Sequence, residues 1–110
     1  MKDTKVASVQ FEHAPGDKQA NLDKVRRFTA EAAEQGVELV VFPEMCVTGY
    51  WHLRDLPRED LEMLAELIST GPSTQALIGL ARQHNLTVCA VLIEKGDGGQ
   101  LFNTYVVAMP

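Results

Sequence analysis

Long hydrophobic runs, basic clusters and paired cysteines are all missing from this 110-residue sequence, and each absence removes a class of function. No apolar run reaches the roughly 18 residues that a membrane span requires, and the polar opening MKDTKVASVQFEH does not read as a signal peptide. Ten Lys and Arg against fifteen Asp and Glu give a net charge of -5 and a pI near 5.1. With no basic patch to offset that acidity, neither a nucleic-acid backbone nor an anionic membrane is the expected partner, and a small molecule is. The two cysteines, Cys46 and Cys89, both lie inside apolar stretches, which excludes a disulfide framework and points to a reducing, cytoplasmic setting. His13, His52 and His84 lack ligand spacing and neither HExxH nor CxxC occurs, so no metal site is expected. The glycine-rich KGDGGQ, residues 95 to 100, lacks the GK[ST] ending of a phosphate loop and leads into a strand-like segment, which makes it a hairpin loop.

What remains suits one globular domain, because 45% of the residues are hydrophobic and the periodicities alternate between strand and helix. KVASVQF (5–11) reads as a first strand, and HAPGDK turns the chain. From Asp17, a suitable N-cap, Leu22, Val25, Phe28 and Ala32 recur at helical spacing, and Gly36 stops the helix at C′. VELVVF (37–42) is a short continuous apolar run of the kind buried on both faces of a sheet, which predicts a right-handed βαβ unit whose strands are parallel. A long connection over 45–57 ends at Pro57, and a second helix is predicted over 58–68, with Leu61, Leu64, Ala65 and Ile68 inward. Gly71 and Pro72 start a third, which has Leu77, Leu80, Ala81 and His84 on its inner face and closes at Asn85. TVCAVLIE (87–94) and LFNTYVVAM (101–109) are strands joined by the hairpin.

Glu44 is the residue this pattern singles out. It follows LVVFP and so stands at the carboxyl end of a predicted interior parallel strand, where open α/β sheets bind ligands. Pro43 offers no ladder N–H, so pairing stops and the next side chain is aimed out of the sheet. A carboxylate there loses part of its hydration and becomes a stronger base, whereas the plainer alternative is a Glu that begins a solvated loop. Cys46 is either a thiol nucleophile or, more commonly for a free cysteine in an apolar run, a small buried hydrophobe. Tyr50 and Trp51 either line a pocket or cap the core.

The stretch GVELVVFPEMCVTGY, taken with KVASVQF, NLDKV, GPSTQALIGLARQHNLTV and IEKGDGGQLFNTYVVAMP, resembles the carbon-nitrogen hydrolase (nitrilase) superfamily over nearly the whole chain. Its most specific parts are FPE followed by the TGY of Thr48, Gly49 and Tyr50, then the NT of Asn103 and Thr104. The resemblance implies an α/β fold, a mixed sheet layered with helices as part of a four-layer αββα sandwich, and assembly as a dimer or larger homo-oligomer. It implies a hydrolase of amide, nitrile or N-carbamoyl carbon-nitrogen bonds that needs no cofactor. In that chemistry a Glu takes the proton of a Cys thiol, the thiolate attacks the substrate carbon, and a Lys helps to hold the developing charge. Glu44 matches the general base, with Tyr50 and Trp51 as substrate-binding residues. Cys46 and Lys95 do not fall at the family's nucleophile and lysine positions. Residues 1–110 are accordingly expected to be the N-terminal part of a single hydrolase domain, with the Lys and Cys beyond residue 110. The competing reading is a non-catalytic α/β binding or regulatory module that keeps the FPE loop.

Overall fold

Strand, helix, strand at the start of the chain folds as a parallel pair, β1 (Val6–Ser8) and β2 (Leu39–Val41), joined by helix α1 (Lys18–Glu34). The computed structural model describes residues 2–110. Asp17 caps α1 by accepting a hydrogen bond from the Ala20 amide, and Gly36 follows the Gln35 C-cap at φ +76°, a left-handed conformation that favours glycine. Helix α2 (Arg58–Leu64) and helix α3 (Pro72–His84) precede β3 (Thr87–Lys95), which pairs parallel with β2, and β4 (Leu101–Ala108) returns antiparallel to β3. The sheet order is β1-β2-β3-β4, so β2 is interior, as its apolar run predicts.

Helices α1 and α3 cover one face of this mixed sheet. Leu22 and Val25 from α1 and Leu77 and Leu80 from α3 meet Val40, Val88, Ala90 and Leu92 in one buried cluster. Each fully buried aliphatic such as Leu77 or Leu92 contributes about 2 kcal/mol relative to an exposed position. On the opposite face only the β3 end is covered, where Met45, Val91 and Ile93 pack with Leu53, Leu61 and Leu64. Further along that face Tyr105 and Val107 remain 51% and 54% exposed, and Val6 and Met109 are exposed too. No helix among the described residues is long and apolar enough to cross a membrane.

Several boundaries, and the burial of one residue, differ from expectation. The first strand is three residues long instead of seven. After the Val9 amide donates to the Val41 carbonyl, the chain leaves the sheet edge. Helix α2 stops at Leu64 and not at 68, because Ala65 is extended and Glu66 joins the sheet margin through a parallel bridge to Glu94. The hairpin loop is one residue shorter than KGDGGQ, since Lys95 pairs with Leu101. His84 is half-buried at the end of α3, where the left-handed Asn85 turns the chain away from the core.

Glu66 also secures the start of α3. Its carboxylate accepts from the Ser73 amide at 2.8 Å, from the Ser73 hydroxyl, and from Lys18 Nζ on α1 at 2.9 Å, while its backbone bonds Ile93 and Lys95 of β3. The turn that permits this requires glycine at 71, where a Cβ would lie 2.3 Å from the Leu67 carbonyl oxygen.

Candidate active site

Beyond β2 the Phe42 amide still donates to the Cys89 carbonyl, but Pro43 has no N–H and the ladder ends there. The chain tightens into turns over 44–48, in which the Cys46 amide donates to the Pro43 carbonyl and the Gly49 amide to the Met45 carbonyl. Met45 adopts φ +53°, a left-handed conformation that costs a non-glycine residue about 1 kcal/mol. Its side chain, buried against Val91 and Ile93, offsets that strain. Burial of residues 45–49 leaves Glu44 exposed at the carboxyl end of an interior parallel strand, the position where open α/β sheets hold ligands.

Asn21 fixes this loop from below. Buried on α1, its side-chain amide donates to the carbonyls of Ala14 and Val47, both at 2.9 Å, and its oxygen accepts from the Ala14 amide. The loop before α1 and the loop after β2 are thereby tied to one helix. Gly49 completes the turn at φ +86°, and a Cβ there would stand 3.0 Å from His52 Cε1 and 3.4 Å from His13 Cβ. This is why the glycine of the TGY stretch is needed.

Glu44, Tyr50 and Trp51 line a single cleft of about 380 Å³, together with Gln10, His13 and Pro43. Tyr50 and Trp51 are both exposed and meet edge to face with ring centroids 5.3 Å apart, so they form a wall of the cleft and do not cap the core. Glu44 Oε1 accepts a hydrogen bond from Asn103 Nδ2 at 2.9 Å, and among the described residues its carboxylate has no ion-pair partner. The loss of hydration expected of Glu44 is not found, because no layer among the described residues covers the open side of the cleft. His13 lines the cleft and His52 lies behind it, outside its lining, and among the described residues the Nε2 atoms of both are buried without hydrogen-bond partners. Burial first, then Lys24 and His52, hold His13 below its ordinary value, so it is neutral at pH 7.

Cys46 is wholly buried, its Sγ lying 3.9 Å from the Val91 carbonyl, and burial pushes its thiol up to about 11. A thiol that is protonated at neutral pH and closed to solvent does not act as a nucleophile, so the structural reading of Cys46 holds. Cys89, also buried, is raised for the same reason. Among the described residues no group of three His, Cys, Asp or Glu side chains is arranged to hold a metal ion.

Two polar residues at this end of the sheet carry little local signal of what they hold. Asn103 stood out only as part of the NT landmark, whereas the fold sets its amide on Glu44. Asn21 resembled any polar residue at the start of a helix, and nothing local marks it as buried. Chemically, one oxygen of Glu44 is held and the other is open to the cleft, which suits acceptance of a proton from a group docked there.

The profile of the carbon-nitrogen hydrolase family matches residues 5–110. The aliphatic nitrilase of Rhodococcus rhodochrous is 37% identical over 111 residues, which cover 94% of this chain and 30% of the relative. A nitrilase of Pyrococcus abyssi (strain GE5 / Orsay) is 36% identical over 106 residues, covering 96% of this chain and 39% of the relative. Among solved structures, an amidase from Nesterenkonia sp. superposes with a TM-score of 0.73 at 25% identity, over 96% of this chain and 38% of that one. A mutant of the Nesterenkonia sp. AN1 amidase, in which acrylamide has added at the active-site cysteine, gives a TM-score of 0.74 at 24% identity, over 97% of this chain and 40% of that one. The chain thus spans between 30% and 40% of the length of these proteins.

Proposed function

The chain belongs to the carbon-nitrogen hydrolase family, and on that premise we propose that it is the N-terminal part of a hydrolase of amide, nitrile or N-carbamoyl bonds in which Glu44 is the general base. The observation that carries this reading is the placement of Glu44 at the end of β2, exposed to a cleft whose wall is Tyr50 and Trp51. The nucleophilic cysteine and the lysine that steadies the developing charge lie beyond residue 110. Cys46 is sealed in the core, and the lining of the cleft includes neither a Cys nor a Lys.

In the amide reaction Glu44 takes the thiol proton as the sulfur bonds to the carbonyl carbon. The protonated carboxyl then returns that proton to the departing amine as the carbon-nitrogen bond breaks. Water, deprotonated by the same carboxylate, cleaves the thioester to the acid and restores the thiol. A nitrile enters the same cycle by addition of the thiol across its triple bond, and water then releases nitrogen as ammonia. Tyr50 and Trp51 supply flat apolar contact to the substrate beside the scissile bond.

The exposed sheet face around Tyr105, Val107 and Met109 supports a second sheet packed there, which makes this chain one helical layer and one strand layer of an αββα sandwich. Dimeric or larger assembly belongs to the same proposal, as does a cytoplasmic setting, which suits two free buried thiols. The test compares the protein extended past Pro110 with residues 1–110 alone, on an aliphatic amide, an aliphatic nitrile and an N-carbamoyl amino acid. The extended protein is expected to hydrolyse at least one of them, and the 110-residue chain none above background. Turnover by the short chain would overturn the placement of the nucleophile. Inactivity of both on all three substrates would favour a non-catalytic module.

A further inference from the structure

We infer that Asn103 is a positioning residue for Glu44, an inference that rests on the reading of Glu44 as the base. The two lie 59 positions apart in sequence, yet Asn103 Nδ2 donates to Glu44 Oε1 at 2.9 Å. Two features of the fold create this contact. Asn103 stands opposite Ile93 in the β3–β4 ladder, on the face where Met45 packs, and the left-handed turn at Met45 brings the preceding Glu44 down beside it. The next residue holds the register, because Thr104 Oγ1 donates to Glu94 Oε1 at 2.7 Å across the same two strands. A slip of one residue would carry Asn103 to the other face of the sheet, away from the carboxylate.

The chemistry of an amide donor suits the task. A Glu side chain has three rotatable bonds, and an exposed one would otherwise sample many orientations. Binding one oxygen through a neutral N–H leaves the second oxygen free to receive a proton, and the donor does not compete for that proton. Only the amide nitrogen of Asn103 fits there, since its oxygen would repel the carboxylate. Asn103 therefore acts through Glu44 and does not itself touch the reacting atoms.

A double-mutant cycle in the complete protein tests this, with single-turnover acylation, substrate affinity and thermal unfolding measured for each variant. Asn103→Leu keeps roughly the volume and removes the donor. It should slow acylation by between about tenfold and a hundredfold, the range spanned by one charge-assisted hydrogen bond and a misplaced base, with substrate affinity unchanged. Asn103→Asp keeps the shape, sets a second carboxylate against the first, and should slow acylation further. In the Glu44→Gln background Asn103→Leu should cost almost nothing more, because the base it positions is already gone. An equal loss in both backgrounds, following a fall in unfolding temperature, would make Asn103 a structural residue and overturn the inference. Slow Glu44→Gln beside normal Asn103→Leu would remove only the positioning role. Normal acylation by Glu44→Gln would remove the base assignment and this inference with it. Should Asn103→Leu fail to fold, Asn103→Asp carries the same cycle.

Discussion

Replacing Glu44 by Gln in the complete protein is expected to slow acylation of the nucleophile by about a hundredfold or more and to leave the fold intact, since a positioned base contributes on that scale. Glutamine keeps the length of the side chain and an oxygen that can still accept from Asn103 Nδ2, so the loop geometry survives. What it loses is the capacity to take a proton. Stability should change little because Glu44 is exposed and contributes nothing to either apolar cluster. A structural Glu would behave in the opposite way, with modest loss of activity following a clear fall in melting temperature. Single-turnover acylation beside thermal unfolding separates the two, and near-normal acylation in a well-folded variant would take Glu44 out of the mechanism.

The largest effect on stability is expected at Glu66, which does no chemistry in this account. Its side chain is almost wholly buried, and Glu66→Ala would leave the Ser73 amide, the Ser73 hydroxyl and the Lys18 ammonium without their shared acceptor. Breaking a buried pair costs about 3–5 kcal/mol. Lys18 retains partial access to water, so the lower end of that range is expected, about 3 kcal/mol and a fall in melting temperature on the order of 10 °C. The same group predicts a pH dependence. Burial by itself raises the Glu66 carboxyl, but the hydrogen bonds from Ser73 and the Lys18 charge outweigh it and hold the group below its ordinary value of 4.5. A carboxylate whose value is depressed in the folded state stabilises the protein fully above its unfolded value, and that contribution disappears as pH falls through the folded one. Wild-type stability should therefore decline below about pH 4.5, and Glu66→Gln should decline less steeply over the same window. Chemical denaturation at several pH values checks both. Parallel acid profiles for the two proteins would contradict the role given to Glu66.

Much of this architecture is legible locally. The Asp17 cap, the Gly36 stop, Pro72 at the start of α3 and the apolar run of β2 are each signals carried by a few adjacent residues, and each lies where its physical cause requires. The meeting of Glu44, Tyr50 and Trp51 is nearly as local, because all three follow β2 within one loop. What escaped the sequence depends on partners far along the chain. The end of α2 is decided by a bridge from Glu66 to Glu94, and in isolation the helical spacing of Leu61, Leu64, Ala65 and Ile68 continues past it. Asn21 and Glu66 look like solvated helix residues until Val47 and Lys18 are brought to them. Glu44 is exposed among residues 2–110 for a related reason: strand position alone does not say what covers the cleft.

The central claim is that Glu44 activates a cysteine outside residues 1–110. Its most direct test is the reaction of chloroacetamide, an electrophilic amide, with the complete native protein, followed by peptide mapping of the carbamidomethylated thiol. The adduct is expected on a cysteine beyond Pro110, to form more slowly in Glu44→Gln, and to leave Cys46 and Cys89 unmodified until denaturant exposes them. Modification of Cys46 in the folded protein, or an equal rate in Glu44→Gln, would contradict the account.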